Sequence, residues 1–250
     1  MDTPYVAISL EVVGSTQDEA RSRFEGRPIL VTAERQTAGR GRTGAAWEQA
    51  ERAVAASLAF RPDWPSHTWS RLTLVSALAV LAAVDRPLRL AWPNDLMLGG
   101  EKVGGLIAEA TGDAVAVGLG LNLFWPDPIE GAGALFEADP GPDAARRIAR
   151  SWATGLLRRT ARGPEHWGID EYRTALETLD CDVVWEPDGS GRAVDVAADG
   201  GLVVDAEGGR IVLHAGSVRR VRPVRRISAR RGTLLSPPPR EAGADDRAEG

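Results

Sequence analysis

The chain has 250 residues, of which 43% are hydrophobic, and a formal net charge of -5 at pH 7. A chain of this length and composition can bury a sizeable core, either in one large domain or in one large and one small domain. The acidic balance argues against a general nucleic-acid-binding surface, which needs clustered basic residues. No segment has the roughly 18 uninterrupted apolar residues of a membrane span, and residues 1–4 lack the pattern of a secretory signal. The expected location is therefore the cytoplasm.

Residues that could hold a metal or act as a nucleophile are few and scattered. The single cysteine, Cys181, cannot form an internal disulfide. The three histidines do not have the spacing of a metal-binding motif: His67, His166 and His214. No nucleophile-elbow sequence surrounds any serine. We therefore expect structural roles for these four side chains, no dedicated metal site and no covalent enzyme intermediate.

The N-terminal segment predicts a strand followed by a helix. Residues 5–13 form an apolar stretch, and the next six residues read Gly-Ser-Thr-Gln-Asp-Glu. A hydroxyl followed by acids indicates the start of a helix, which Ser15 or Thr16 would cap. Asp18 and Glu19 would favour the positive end of the helix dipole. On these local grounds, capping and contact with a ligand are equally open for the two hydroxyls.

A glycine–arginine loop (residues 36–47) contains the tetrapeptide Gly-Arg-Gly-Arg at 39–42. Glycine lets a ligand approach the main chain, and each guanidinium presents a planar fork of donors that suits phosphate or carboxylate. Gly-Arg repeats also occur in flexible tails that bind nucleic acids. Here, a strand-like stretch at 29–34 precedes the loop, and Trp47 ends it with a large ring that could close over a bound group. The pattern therefore favours an anion-binding loop inside a folded domain.

Residues 53–124 predict a short strand, a core helix and an antiparallel meander. Small residues indicate the strand at 53–60, and apolar residues recur at helical spacing over 69–84. Strands are predicted at 88–92, 96–98, 102–110 and 114–124, with turn residues between them. Glycines share one strand face at alternate positions and recur in the partner strand: Gly118 and Gly120, with Asn122, and Gly104 and Gly105. Something therefore lies flat against this sheet, either another chain segment or a ligand.

The C-terminal part predicts two helices and a small β unit. Residues 142–162 have an apolar stripe with arginines opposite, and a second helix is predicted over 164–179. From Cys181 onward, short strands alternate with glycine-rich turns, which is typical of a small barrel or sandwich. We therefore predict domains at 1–179 and 180–226, followed by a disordered tail at 227–250 that contains three consecutive prolines.

Five motifs, in their order and spacing, resemble those of the biotin protein ligases. They are Ser-Thr at 15–16, the glycine–arginine loop, Trp-Pro-Asn-Asp at 92–95, Lys-Val-Gly-Gly-Leu-Ile-Ala-Glu at 102–109 and Gly-Leu-Gly-Leu-Asn at 118–122. The resemblance covers nearly everything up to the tail. It implies an α+β fold: a catalytic domain related to the lipoate ligases, with a mixed, largely antiparallel sheet and helices, and an SH3-like C-terminal β-barrel.

The resemblance also implies a two-step reaction. Biotin and ATP, with Mg2+ accompanying the nucleotide, would give biotinyl-5'-AMP and pyrophosphate. A lysine of a biotin carboxyl carrier protein would then take the biotinyl group and release AMP. The resemblance allows a homodimer through the sheet edge that docks the carrier. The first strand begins too close to Met1 for the DNA-binding domain that some members carry, so no nucleic acid is an expected partner.

The family's contacts can be carried over residue by residue. Those implied to bind biotin are Ser15, Thr16, Gln17, Gln36, Gly39, Arg40, Gly41, Arg42, Gly104 and Gly105. Those implied to bind ATP or the adenylate are Arg40, Arg42, Trp47, Asn94, Lys102 and Asn122. Arg40, Arg42 and Lys102 are the implied catalytic cations. For Trp47, an ordinary core position is the alternative to shielding the adenylate.

Two positions depart from the family pattern. Ala91 stands where the family has a lysine before Trp-Pro-Asn-Asp, and Ala45 stands where another arginine is usual. Both changes remove positive charge from one pocket. The chain is therefore either a working ligase in which a cation such as Lys102 substitutes, or a homologue that binds biotin or its adenylate with weak or no ligase activity. A ligase for lipoate or another acyl group is a third reading, against which the missing arginine-arginine and triple-glycine signature weighs.

Overall fold

Two β-sheets organise the chain in the computed structural model, which describes residues 3–215, with the backbone alone at Thr43, and the backbone of residues 221–223. In these residues the larger sheet has seven strands, which are β1 (Val6–Val13), β2 (Ile29–Gln36), β3 (Arg52–Phe60), β4 (Arg89–Ala91), β5 (Asp95–Leu98), β6 (Glu101–Thr111) and β7 (Ala114–Phe124). The smaller sheet has five, which are β8 (Asp182–Trp185), β9 (Gly189–Val196), β10 (Leu202–Ala206), β11 (Gly209–Leu213) and β12 (Val221–Pro223). The helices of the same residues are α1 (Thr16–Ser22), α2 (Leu72–Ala83), α3 (Pro142–Thr160) and α4 (Ile169–Ala175). None of these helices is both long and apolar enough to cross a membrane.

The larger sheet is mixed but mostly antiparallel, as predicted. Its strand order is β1-β2-β3-β7-β6-β5-β4. The β1–β2 pair is parallel, and every other neighbouring pair is antiparallel. The meander from β4 to β7 follows the predicted turns, with left-handed backbone at Gly99 and Gly100 between β5 and β6. This meander brings the Trp-Pro-Asn-Asp and lysine-glycine motifs next to each other.

Helices α2 and α3 pack together against the core face of this sheet. Leu78 of α2 and Trp152 of α3 are both fully buried, and Trp152 Nε1 donates to Ser76 Oγ of α2 at 3.0 Å. The core face therefore provides rigid support, and the opposite face is left for the site. The amphipathic helix predicted over 142–162 is observed as α3.

Two helix predictions differ from the structure. The helix predicted over 69–84 starts as α2 at Leu72, after a 3-10 segment at Ser66–Arg71. The single helix predicted over 164–179 is wrong. Residues 164–166 form a 3-10 turn, Gly168 adopts φ of 96°, and α4 ends at Ala175. Gly168 causes the break because an interior helical residue needs negative φ.

The smaller sheet has the strand order β11-β10-β9-β8-β12, and all neighbouring strands are antiparallel. It is joined to the larger part by buried indole hydrogen bonds. Trp92 Nε1 donates to the carbonyl of Gly200 at 3.0 Å, and Trp167 Nε1 donates to that of Ala198 at 3.0 Å. The predicted tail at 227–250 lies outside the described residues.

Candidate functional site

A cavity of about 330 Å3 opens between the start of α1, the glycine–arginine loop and strands β6 and β7. Eleven of the predicted ligand-binding residues line it: Ser15, Thr16, Gln17, Gln36, Arg40, Gly41, Arg42, Trp47, Asn94, Lys102 and Gly105. The elements that carry them are far apart in the sequence. The fold therefore brings the polar end of α1 and three cationic side chains to one cavity.

The start of α1 forms the polar end of the cavity. Ser15 is the N-cap, with its side chain accepting from the Asp18 amide at 3.5 Å. Thr16 donates from its backbone N and from Oγ1 to Gln36 Oε1, at 2.8 Å and 3.0 Å. All three cavity-lining side chains of this segment, Ser15 to Gln17, are buried. Ser15 thus both caps α1 and lines the cavity. The hydrogen bonds between Thr16 and Gln36 fix the positions of these two side chains.

Gln17 leaves an acceptor without a partner at this end. Its Nε2 donates to the carbonyl of Ala116 at 2.8 Å, which fixes the orientation of the amide because a carbonyl can only accept. Oε1 then points towards Gly118, and it has no hydrogen-bond partner among the described residues. A buried acceptor left unpaired carries a desolvation penalty. This end of the cavity is therefore suited to a ligand that donates N–H groups.

The glycines of β6 and β7 allow side chains to lie flat on the sheet. A Cβ on Gly118 would approach Gln17 Oε1 to 2.7 Å, and one on Gly120 would approach Trp47 Cε2 to 2.8 Å. Another chain segment therefore covers these two positions, which was one of the two alternatives that the sequence left open. Gly105 lines the cavity as Gly118 and Gly120 do, and its Cβ position lies 3.8 Å from Lys102 Cε.

Trp47 forms one wall of the cavity. Its ring lies against Gly39 and Gly120, and its backbone N donates to the Gly39 carbonyl at 2.9 Å. The side chain is half-buried, and Nε1 has no hydrogen-bond partner among the described residues. Trp47 is thus not an ordinary core tryptophan, because it borders the cavity and contacts the glycine-bearing sheet face.

The two arginines of the loop are both held by acceptors of the protein. Arg40 donates from Nη1 and Nη2 to the two carboxylate oxygens of Asp18, each at 2.8 Å. This hydrogen-bonded pairing raises the pKa of Arg40 and lowers that of Asp18. Arg42 Nη1 donates to the Ala215 carbonyl at 2.6 Å, and burial lowers the pKa of its guanidinium. The loop is therefore fixed to α1 at one arginine and to the C-terminal part at the other.

Lys102 provides the third cation and is the only lysine of the chain. Its Nζ lies 2.6 Å from Asp95 Oδ1, in an ion pair whose side chains are 42% and 33% exposed. Asn94 also lines the cavity and donates from Nδ2 to the Leu106 carbonyl at 2.9 Å. Ala91 pairs with Asp95 in the β4–β5 register and is not among the cavity-lining residues.

Three predicted ligand contacts lie away from the cavity wall. Gly104 faces the core, since its Cβ position lies 2.6 Å from the Gly120 carbonyl oxygen. Adjacent residues of a strand point to opposite faces, so only Gly105 can share the site face. Gly39 lies beneath Trp47. Asn122 is buried and donates from Nδ2 to the Gly133 carbonyl at 3.1 Å, with Oδ1 unpartnered within the described ranges.

Other residues at the cavity were not assigned a role from the sequence. Ser57 lines it, as do Asp95, Leu106 and Ile107, which belong to quoted motifs. Asp18 controls the position of Arg40, although the sequence suggested only a helix-dipole role. The register of β5 on β6, which pairs Asp95 with Gly105, is the signal that could have placed Asp95 near Lys102.

A second cavity of about 550 Å3 adjoins the first across the loop. Both are bordered by Arg40, Gly41 and Arg42. The second also reaches the C-terminal part at residues 199–201 and at His214, whose Nε2 lies 2.9 Å from Asp199 Oδ2. In residues 3–215, no group of three or more His, Cys, Asp or Glu side chains is arranged to hold a metal ion.

Comparisons with known proteins match residues 10–122 to the biotin/lipoate A/B protein ligase family. The chain is 32% identical over 213 residues to the biotin–[acetyl-CoA-carboxylase] ligase of Mycobacterium tuberculosis, which covers 78% of this chain and 79% of that relative. Its structure is similar to the biotin protein ligase from Aquifex aeolicus in complex with biotin and ATP, with a TM-score of 0.70, 23% identity, and 88% and 99% of the two chains covered. It is also similar to the enzyme from Leishmania major in complex with biotinyl-5-AMP, with a TM-score of 0.60, 21% identity, and 85% and 100% covered.

Proposed function

Because the chain belongs to the biotin/lipoate A/B protein ligase family, we propose that it is an ATP-dependent biotin protein ligase. In the first step, a biotin carboxylate oxygen bonds to the α-phosphorus of ATP, and pyrophosphate leaves. In the second, the amine of a carrier-protein lysine bonds to the acyl carbon, the bond to AMP breaks, and the amine loses a proton. Biotin and ATP are the substrates, and a biotin carboxyl carrier domain is the acceptor.

The observation that carries this proposal is the make-up of the first cavity. The cavity presents hydroxyl and amide groups from Ser15 to Gln17 and from Gln36, together with the cations Arg40, Arg42 and Lys102. Biotin has a ureido head with two N–H donors and one acceptor at one end and a carboxylate at the other. The orphan acceptor of Gln17 and the three cations are complementary to these two ends.

The cavity residues can support adenylation by alignment and charge neutralisation. The reaction needs a carboxylate held against the α-phosphate, and fixed cations stabilise the charge that develops there. Arg40, Arg42 and Lys102 are proposed for this task. Trp47 would cover the mixed anhydride and limit its hydrolysis by excluding water. A general base with an unusual pKa is not required.

The proposal includes Mg2+ only as a companion of the nucleotide. The described residues offer no carboxylate-rich donor set for a dedicated ion, whereas Mg2+ commonly binds through substrate phosphates and water. Bound in this way, the ion would offset triphosphate charge. The protein's own contribution would remain its three cationic side chains.

Further parts of the proposal concern architecture and partners. The five-stranded antiparallel sheet supports an SH3-like C-terminal domain from residue 180 onward, after a catalytic domain at 1–179. Pairing of two chains at a sheet edge would give a homodimer. The absence of a nucleic-acid partner and a cytoplasmic location stay predictions.

A second candidate function rests on Ala91. Without the family's lysine at this position, the chain could bind biotin or its adenylate and have weak or no ligase activity. Lys102 favours the working enzyme, because it lines the cavity and lies on the strand next to β5, whose Asp95 pairs with Ala91. Lipoate as the substrate has no observation in its favour.

ATP–pyrophosphate exchange in the presence of biotin tests the proposal. A working ligase is expected to show exchange that depends on biotin and is not supported by lipoate. No exchange in the natural chain, with exchange restored by Ala91→Lys, would favour the impaired homologue. Exchange supported by lipoate and not by biotin would refute the proposed substrate.

A further inference from the structure

Arg40 is held by a chain of charged side chains that links three parts of the structure. Its guanidinium forms a bidentate pair with Asp18, and its Nη2 lies 4.0 Å from Glu109 Oε2. Glu109 in turn accepts from Arg21 Nη1 at 2.9 Å. The chain thus runs from α1 through the glycine–arginine loop to β6 and back to α1.

The bidentate pair leaves Arg40 able to contact a ligand. A guanidinium has five N–H donors in a fixed plane, and the pair with Asp18 uses two of them. Arg40 lines the first cavity while it is paired. Asp18 is the third residue of α1, directly after the three residues that line the polar end of the same cavity. The pair therefore fixes the cavity-lining start of α1 relative to one cation of the same cavity.

The backbone of the loop is closed at the same place. Arg40 forms a bridge with Ala46, the Gly41 amide donates to the Ala45 carbonyl at 2.7 Å, and the Trp47 amide donates to the Gly39 carbonyl at 2.9 Å. Contacts that fix the Arg40 side chain therefore also fix the whole closed loop, including the ring of Trp47.

We propose that Asp18 is a positioning residue: by fixing Arg40, it keeps the glycine–arginine loop closed over the acyl-adenylate and slows the escape of this intermediate. The inference rests on the proposed function for the identity of the ligand. Asp18 does not touch the reacting atoms in this scheme. Loss of Asp18 is expected to affect retention of the intermediate more than its formation, in which Arg40 also takes part.

The expected change in the rate of escape is small because the Arg40–Asp18 pair is partly exposed to solvent. Arg40 and Asp18 are 35% and 50% exposed, and solvent weakens such pairs, so we expect loss of the pair to speed escape about two- to fivefold. Asp18→Asn removes the charge and keeps the shape. Glu19→Gln is the matched control, because Glu19 also lies in the first turn of α1 but pairs with Arg23. Both substitutions remove one acid from the helix N-terminus.

The first experiment measures release of labelled biotinyl-5'-adenylate from a preformed complex, chased with an excess of unlabelled adenylate. Asp18→Asn is expected to release it about two- to fivefold faster than the natural chain, with Asp18→Glu in between and Glu19→Gln unchanged. Biotin-dependent pyrophosphate exchange should persist in all of them. Equal release rates for Asp18→Asn and Glu19→Gln would overturn the inference. So would slower release, which would mean that Asp18 competes with the ligand for Arg40.

A second experiment uses the chain without ligand, so its result does not depend on the proposed function. Hydrogen exchange of the Gly41 and Trp47 amides is expected to be about two- to fivefold faster in Asp18→Asn than in Glu19→Gln. Unchanged exchange at both amides would refute the role of Asp18 in closing the loop. If the natural chain binds no adenylate and supports no pyrophosphate exchange, the proposed function fails, whereas this result still decides whether Asp18 holds the loop.

Discussion

Replacement of Lys102 by glutamine separates the chemical role of this residue from its structural role. Lys102 is one of three cations at the cavity, and its ion pair with Asp95 is partly exposed, at 42% and 33%. An exposed pair contributes at most about 1 kcal/mol to the free energy of unfolding. Loss of one preorganised donor at a reacting centre costs about 2.7 to 4 kcal/mol, or roughly 100- to 1000-fold in rate. We therefore expect Lys102→Gln to lose most of its activity and little of its stability.

The assay compares biotin-dependent pyrophosphate exchange with urea unfolding for the same variant. Arg146→Gln is the matched control, because Arg146 is also 42% exposed in an ion pair but lies away from the cavity. Its exchange rate is expected to be unchanged. A fall of less than about tenfold in Lys102→Gln would refute the assigned role, as would an unfolding free energy reduced in proportion to the rate.

The role of the Lys102 amine can also be tested by chemical modification, without a mutation at the site. Since Lys102 is the only lysine, an amine-directed acylating reagent can modify only its Nζ and the chain's N-terminal amine. We expect this reagent to abolish exchange in the natural chain. Lys102→Arg keeps a cation but offers no reactive amine, so any activity that it has should resist the reagent. Equal inactivation of both proteins would assign the effect to the N-terminus.

Three further predictions test packing and charge. Gly120→Ala places a Cβ 2.8 Å from the Trp47 ring, and such overpacking costs about 1 to 3 kcal/mol. If this cost falls on the site, binding of biotinyl-5'-adenylate measured by calorimetry should weaken about 5- to 150-fold. Leu78→Ala empties a fully buried core position and should lower the unfolding free energy by about 2 to 5 kcal/mol in urea. A hydrogen bond from Arg52 lowers the pKa of Asp139 to about 2, so its stabilising effect is present above pH about 4 and is lost as the pH falls to about 2. The melting temperatures of the natural chain and Asp139→Asn should therefore converge over that range.

Each of these predictions has a control or a contradicting result. Gly208→Ala adds a methyl group in open space, so binding reduced equally in both glycine variants would disprove the contact with Trp47. Val12 is 52% exposed, and a Val12→Ala cost equal to that of Leu78→Ala would contradict the burial argument. A melting-temperature difference for Asp139→Asn that persists undiminished at pH 2 would show that the carboxylate is not the source of the effect.

The predictable part of the fold was the part with local signals. Alternating side chains and paired glycines at 99–100 marked the β4–β7 meander, because turn chemistry and strand period act over a few residues. The site residues were predicted from the resemblance of five ordered motifs to the biotin protein ligases, and eleven of them line one cavity. Gly104 shows the limit: the sequence marks two adjacent glycines, and only the register of β6 determines that Gly105 faces the ligand side.

The features that the sequence did not predict depend on contacts between residues that are distant in the chain. Nothing local indicates that β1 runs parallel to β2, or that Arg40 pairs with an acid 22 residues earlier. The failed helix at 164–179 had apolar residues at near-helical spacing. However, after α4 the chain continues in extended form, where the Glu177 amide donates to the Leu90 carbonyl at 2.8 Å. This tertiary pairing outweighs local helix propensity.

The solitary lysine, kept in an ion pair with Asp95 inside the cavity, bears on what happens to an activated biotin that diffuses away. Guanidinium groups stay protonated at physiological pH and do not act as acyl acceptors there, and the outer surface of this chain carries them in place of ammonium groups. For an enzyme that makes an amine-reactive anhydride, such an exterior means that stray intermediate can label the catalyst only at Lys102 and at its N-terminus.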